Sequence, residues 1–344
     1  MKLMRTEDAV GQILCHDITQ IIKGVTKDAV FRKGHVIQEE DVPVLLSVGK
    51  EHVYIWENNE NMLHENEAAE ILYKLCKGEH MHGGEIKEGK IELIADMDGV
   101  LKIRRDALYA VNALGQMMIA SRHSNFPVKK GDKLAGTRII PLVIEKEKME
   151  AARKAAGEKP IFEILPYVCK TAGVVTTGNE VLKNRISDTF TPVIEEKLAE
   201  YQVKVTEHAL TGDDNAVITG TIEEMIEKGV DMVLCTGGMS VDPDDRTPLA
   251  IKNTGAEIVT YGAPVLPGAM FLLAYYKHGE KQIPVLGLPG CVMYAKRTIF
   301  DLVLPRLLTG ERLSEEDFIR AGEGGLCLSC PQCTYPNCGF GKGV

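Results

Sequence analysis

From Cys169 to about residue 310 the chain alternates apolar, strand-like runs with amphipathic, helix-like runs, and nothing else in its 344 residues constrains the fold as much. "CKTAGVVTTG", "KVTEHAL" and "DMVLCTGG" read as strands. They are followed in turn by "DTFTPVIEEKLAEY", "NAVITGTIEEMIEKG" and "RTPLAIKNTG", which read as helices. In the first helix Val193, Ile194, Leu198 and Tyr201 fall on one side. Two further strands, "MFLLAYY" and "IPVLGLPG", precede a last helix in "YAKRTIFDLVLPRLL". Repeated strand–helix units with apolar strands predict an α/β fold, a parallel sheet covered on both faces. Such sheets take ligands at the carboxyl ends of their strands.

The first third has a different texture. "AVGQILCHDITQI" and "AVFRKGHVIQEEDVPVLLSVGKEHVYIW" are β-rich runs punctuated by Gly24, Gly34 and Gly49. Next, "NMLHENEAAEILYKLCKG" spaces Ala68, Ile71, Leu72 and Leu75 as a helix does. Strand patterns return from "KIELIADMDGVLKI" to "RIIPLVI", and the charged helix "EKEKMEAARKAAGE" leads to Pro160 and Pro166. The expected organisation is a small β-containing domain over 1–60, a helical connector over 61–85 and a β-rich domain with its linking helix over 86–165. An α/β domain over 166–310 and a linker with a cysteine-rich tail over 311–344 complete it.

The loops after the strands concentrate Gly, Asp and Glu: "TTGNEV", "NRISDTF", "TGDDN", "TGGMSVDPDDRT" and "GLPGCVMY". Backbone N–H groups of Gly237 and Gly238 suit the oxygens of a phosphate-bearing ligand, because no side chain keeps the backbone away. The carboxylates Glu180, Asp188, Asp213, Asp214 and Asp245 make sense beside such an anion if they hold Mg²⁺ or position a water. Gly and Asp are also the commonest turn residues. It is the convergence of five such loops on one sheet edge that points to a site.

These loops resemble, in order and spacing, the molybdopterin-binding domain shared by the MoeA, MogA and gephyrin families of molybdenum-cofactor biosynthesis. "TTGNEV" looks like the family's TGDE turn, "RISDTF" like its G-x-I-x-D-x-N turn, "TGGMSVDPDDRT" like its GG-x-S-x-G-x-x-D-x-T loop and "LPGCVMY" like its LPGNP loop. The resemblance implies a MogA-like parallel-sheet domain preceded by smaller β-containing domains. It also implies binding of molybdopterin or its adenylylated form, with Mg²⁺-assisted nucleotide cleavage and insertion of molybdenum or tungsten, as in a molybdopterin molybdotransferase. Carried over residue by residue, it gives catalytic roles to Glu180, Asp188, Asp214 and Asp245. It gives cofactor-binding roles to Thr177, Gly178, Asn179, Asp213, Gly237, Gly238, Ser240, Pro289 and Gly290. A homodimer is implied as well, since the family builds its site between protomers.

The chain departs from that pattern in several places. "VLPGAMF" puts Leu266 and Ala269 where the MoeA enzymes carry lysines, Asn179 replaces an acid and Asp242 replaces a glycine. Loss of cationic partners for an oxyanion favours a second reading, a noncatalytic carrier or sensor that docks on a client molybdoenzyme.

A formal charge of −9 argues against a nonspecific nucleic-acid binder. No apolar run reaches the ~18 residues that cross a bilayer, so no membrane partner is expected and the protein reads as cytoplasmic. Of nine cysteines, Cys15, Cys76, Cys169, Cys235 and Cys291 stand singly, as buried reduced cysteines do. Cys327, Cys330, Cys333 and Cys338 instead crowd one short stretch. Their C-x₂-C-x₂-C-x₄-C spacing suits one metal centre, an iron–sulfur cluster or Zn²⁺. The paired His80 and His82 lack a third ligand nearby, Cys291 follows an apparent helix start, and Trp56 reads as a core residue.

Overall fold

The computed structural model describes residues 2–343 apart from 56–59, 184, 186 and 241–244. Trp56 and Asp242, singled out above, lie outside the described residues. The chain forms two compact units, one of residues 1–97, 102–122 and 129–164, the other of residues 98–101, 123–128 and 165–344.

In the first unit the strands Met81–Gly83, Lys90–Ala95, Lys133–Ile139 and Met117–Ser121 form, in that order, an antiparallel sheet. Lys90–Ala95 buries every second residue, Ile91, Leu93 and Ala95, as a strand with one covered face must. The helix Glu65–Cys76 buries Ala68, Ala69, Leu72 and Cys76 and begins with a capping box between His64 and Glu67. A separate small core joins Ala9, Leu14, Ile18, Ile37, Leu45, Val53 and Ile55. Two helices stand where the sequence reads as strands and turns, Asp41–Ser47 and Arg105–Ala113. Their apolar faces are narrow, Leu45 alone in the first and Ala107, Leu108 and Val111 in the second.

The second unit is built on a six-stranded sheet, and its elements are numbered here within the unit. They are β1 (Thr171–Thr177), α1 (Asn179–Leu182), α2 (Phe190–Ala199), β2 (Lys204–Thr211), α3 (Asn215–Glu227) and β3 (Val233–Thr236). Then follow α4 (Thr247–Asn253), β4 (Glu257–Tyr261), β5 (Leu272–His278), β6 (Lys281–Leu288), α5 (Ile299–Leu308) and α6 (Glu315–Arg320). The strand order is β2-β1-β3-β6-β5-β4. The first four strands are parallel, as the alternation predicts. The last two pairs are antiparallel, so the sheet is mixed. "MFLLAYY" and "IPVLGLPG" are joined by a short turn rather than a helix, which forces that reversal.

Consecutive residues of the central strands go to opposite faces. Val174, Leu234, Leu273 and Leu286 enter one core with Ile194 and Leu198 of α2 and Phe300, Leu304 and Leu307 of α5. Val175, Cys235, Ala274 and Val285 enter the other with Ile218, Ile222 and Met225 of α3 and Ile251 of α4. Two covered faces explain why these strands read as continuous apolar runs.

"LSEEDFIRAGEGG" is not a free linker. Leu313 and Phe318 are buried in the core of α2 and α5, Phe318 stacks 5.9 Å from Phe271, and the Leu313 N–H donates to the Tyr275 hydroxyl at 2.9 Å. The tail returns to the same core through Phe340, with Cys327, Tyr335 and Cys338 packed against it. Among the described residues of this stretch three large apolar side chains are buried, Leu313, Phe318 and Phe340, too few to show as periodicity in a polar segment.

Candidate functional site

The carboxyl ends of β1, β2, β3 and β6 bring most of the named loops to one edge of the sheet. At the end of β1 the Thr177 hydroxyl donates to the Thr236 carbonyl and lies 3.1 Å from the Thr247 hydroxyl, which in turn donates to the Gly237 carbonyl at 2.8 Å. This fixes the turn after β3 against β1. Gly237 has φ +81°, and a Cβ there would stand 2.3 Å from the Thr177 carbonyl oxygen. Gly238 has φ +55°, and its Cβ would meet the Thr247 hydroxyl at 2.9 Å. Both positions therefore require glycine for space and for backbone conformation. Ser240 follows, exposed.

Next to this turn, Gly178 (φ +136°) leads into α1, where the Asn179 side-chain amide donates to Asp213 at 2.6 Å. Asn179, in place of an acid, turns what would be carboxylate repulsion into a hydrogen bond. Glu180 is exposed beside it.

Asp188 is drawn in further. Its carboxylate accepts from the backbone N–H groups of Phe190 and Thr191 at 2.9 and 3.1 Å, from the Thr191 hydroxyl at 2.5 Å and from the Thr176 hydroxyl at 3.4 Å. His208 Nε2 of β2 stands 3.5 Å away. Burial raises this carboxyl, but the Thr191 and backbone hydrogen bonds and the His208 charge outweigh it and hold the pKa below its ordinary value. Asp214 caps α3, its Oδ1 accepting from Ala216 and Val217 at 2.9 and 3.1 Å. Asp245 is half-buried near Tyr261, whose hydroxyl donates to the Met239 carbonyl at 3.2 Å. Burial, and then the Asp245 charge, raise the Tyr261 pKa. Pro289 is buried and Gly290 exposed at the end of β6.

Thr176, Thr191, His208, Thr247 and Tyr261 were not singled out in the sequence, although they tie these loops together. The one available signal is a run of threonines, "VTTG", closing an otherwise apolar strand. The edge also holds polar atoms without a hydrogen-bond partner among the described residues, Thr211 Oγ1, Thr236 Oγ1 and Asn215 Oδ1. A half-exposed glycine turn at positive φ and three such atoms suit a polar, phosphate-bearing ligand.

Cys15, Cys76 and Cys235 are buried, and Cys169 and Cys291 half-buried. Burial pushes the Cys235 thiol up to about 12 and raises Cys291 as well, so the helix-start position does not activate Cys291. His82 pairs with Asp96 at 2.5 Å. The four tail cysteines, Cys327, Cys330, Cys333 and Cys338, all line one cavity of about 590 Å³. Among the described residues no three His, Cys, Asp or Glu side chains form a group that could hold a metal ion. No helix among them is long and apolar enough to cross a membrane.

Two family models match the chain. Residues 3–57 match a domain of unknown function, and residues 173–309 match a probable molybdopterin binding domain. A CinA-like protein of Mycobacterium tuberculosis is 36% identical over 93 residues, 27% of this chain and 22% of that protein. A molybdopterin molybdenumtransferase of Synechococcus elongatus is 27% identical over 163 residues, 45% of this chain and 38% of that protein. The chain thus spans well under half the length of these relatives. The tungsten cofactor synthesizing protein MoaB from Pyrococcus furiosus is 19% identical, covering 42% of this chain and 99% of that one at a TM-score of 0.36. The matched segment runs from β1 to the end of α5 and contains every strand-end loop described above. Over residues 173–309 this chain carries a domain of the probable molybdopterin binding family.

Proposed function

We propose that the strand-end site binds molybdopterin or its adenylylated form in the assembly of a molybdenum or tungsten cofactor. The observation that carries this reading is the Gly237-Gly238 turn, half-exposed at the carboxyl end of β3 and held at positive φ against Thr177 and Thr247, so that backbone rather than side chain faces the sheet edge. Thr177, Gly178, Asn179, Asp213, Ser240, Pro289 and Gly290 complete the surround. Mg²⁺ fits the exposed Glu180 and half-buried Asp245, with Asp188 and Asp214 positioning the loops that carry them. When bound, the ion would neutralise phosphate charge during nucleotide cleavage. The cysteine tail adds a metal centre, iron–sulfur or zinc, and the protein works in the cytoplasm as a homodimer.

A second reading, a carrier that hands finished cofactor to a client molybdoenzyme, is favoured by one observation. Leu266, at a family lysine position, is 57% exposed and supplies no cation. Calorimetric titration with molybdopterin and with its adenylylated form, with and without Mg²⁺ and molybdate, tests both. Saturable binding with nucleotide release supports the enzyme, binding without release supports the carrier, and no binding of either ligand ends both readings.

A further inference from the structure

The loop after β6 does not stop at the candidate pterin site. Pro289 and Gly290 lead through the short turn Gly290–Met293 into Tyr294, Ala295, Lys296 and Arg297, and those four residues form one wall of the cavity lined by the tail cysteines. The rest of the lining comes from residues between Gly322 and Phe340, and this tail is anchored in place. The Cys327 N–H donates to the Leu266 carbonyl at 2.8 Å and the Leu266 N–H to the Gly325 carbonyl at 2.8 Å, which fixes the first cysteine. Lys296 Nζ donates to the Pro331 carbonyl at 2.9 Å, between the second and third cysteines. The Tyr335 hydroxyl donates to the Asp301 carbonyl at 2.9 Å under the Arg297 guanidinium, just before the fourth.

We propose that this cavity is the seat of a four-iron iron–sulfur cluster held by Cys327, Cys330, Cys333 and Cys338, with one wall formed by the loop that leaves the pterin site. A zinc ion draws four thiolates to about 2.3 Å from a single point and leaves no space between them. Here the four cysteines do not close on one point as a single ion requires, and instead all line one cavity of about 590 Å³, which suits a ligand with a body of its own, iron and inorganic sulfide. The spacing agrees. C-x₂-C-x₂-C wraps three thiolates around one cluster, and the fourth cysteine, five residues on, returns to the same cavity because Phe340 is buried in the domain core. A four-thiolate cluster is anionic, and Lys296 places a cation on its wall. The proposal rests on the pterin reading only for the naming of that shared loop.

The test is anaerobic purification of the whole chain and reconstitution with sulfide and equal parts of ferrous and ferric iron, which together supply the mixed-valence core, set against titration with zinc alone, with no pterin present. About four irons and four sulfides per chain, with broad visible absorbance lost on oxidation, are expected. Cys330 and Cys333 are exposed, so before reconstitution Cys330→Ser and Cys333→Ser should match the urea midpoint of the metal-free parent, and after it they should lack most of the iron. Placement is read with Tyr294→Trp, at an exposed position on the wall, against the background of the single native tryptophan, Trp56. Its emission should be quenched on reconstitution and not in the same variant carrying Cys333→Ser. One tightly held zinc that excludes iron, no uptake of either metal, or a cluster that leaves Tyr294→Trp emission unchanged overturns the proposal. Because no readout uses pterin, failure of the pterin reading leaves these outcomes intact.

Discussion

A single methyl group probes the strand-end turn. In Gly237→Ala the new Cβ stands 2.3 Å from the Thr177 carbonyl at φ +81°, so about 1–3 kcal/mol of strain and a displaced turn are expected. Gly290→Ala meets nothing closer than the Tyr294 hydroxyl at 3.9 Å and should change little. Urea denaturation of the pair checks this. Asp188 makes a pH prediction. Its folded pKa lies below the ordinary 3.8, so its contribution to stability is full above that value and is lost as pH falls through the lowered one. Asp188→Asn should therefore flatten the acid limb of the stability profile, read from urea midpoints over a pH series. For Asp214, Ala should cost about 1 kcal/mol while Ser, itself a good cap, restores it. Ligand affinity in the stable Ser variant then reports on the carboxylate's charge apart from its capping bond. Gly237 and Gly238 were legible in sequence because a close-approach turn has almost no other solution. His208 was not, since a histidine on a half-exposed edge strand looks like any solvated residue until its Asp188 partner is in place.

At the scale of elements, α5 begins on a buried charge. Asp301 closes a capping box with Thr298 and accepts from Lys197 of α2 at 2.7 and 2.9 Å and from Arg297 at 2.9 Å, with the Asp301 and Lys197 side chains only 2% and 8% exposed. Asp301→Ala leaves Lys197 uncompensated and should cost about 3–5 kcal/mol. The double replacement Lys197→Met with Asp301→Ala should recover part of that loss, and a thermal-unfolding cycle of the single and double variants measures it. The alternation of β1, α2, β2, α3 and β3 could be read from sequence because β1 and β3 are covered on both faces and the edge strand β2 shields every second residue. Strand β4 could not: it is an edge strand with Ile258 and Tyr261 37% and 46% exposed, and "EIVTY" lacks the continuous burial that marks its neighbours. Lys197 hid for the opposite reason. Within "EEKLAE" it reads as one more charge on a wet helix face.

Over the whole molecule, the segment after residue 310 changes status from appendage to core. Phe318→Ala should cost about 3–5 kcal/mol, a large cavity effect for a residue that the sequence places in a polar linker. The measurement is again the urea midpoint, taken on metal-free protein, with the exposed Cys330→Ser as the neutral reference in the same tail. The cysteine spacing was plain in the sequence. The anchoring was not, because it runs through backbone bonds at Leu266 and single aromatic residues that no periodic pattern betrays. The segment Gly290–Arg297 begins at one proposed site and ends as the wall of the other, so two occupants bound there would be joined by thermodynamic linkage. An occupant that orders this segment lowers the ordering entropy left for its neighbour to lose. Whatever factor a bound cluster applies to pterin affinity, bound pterin must apply the same factor to cluster retention.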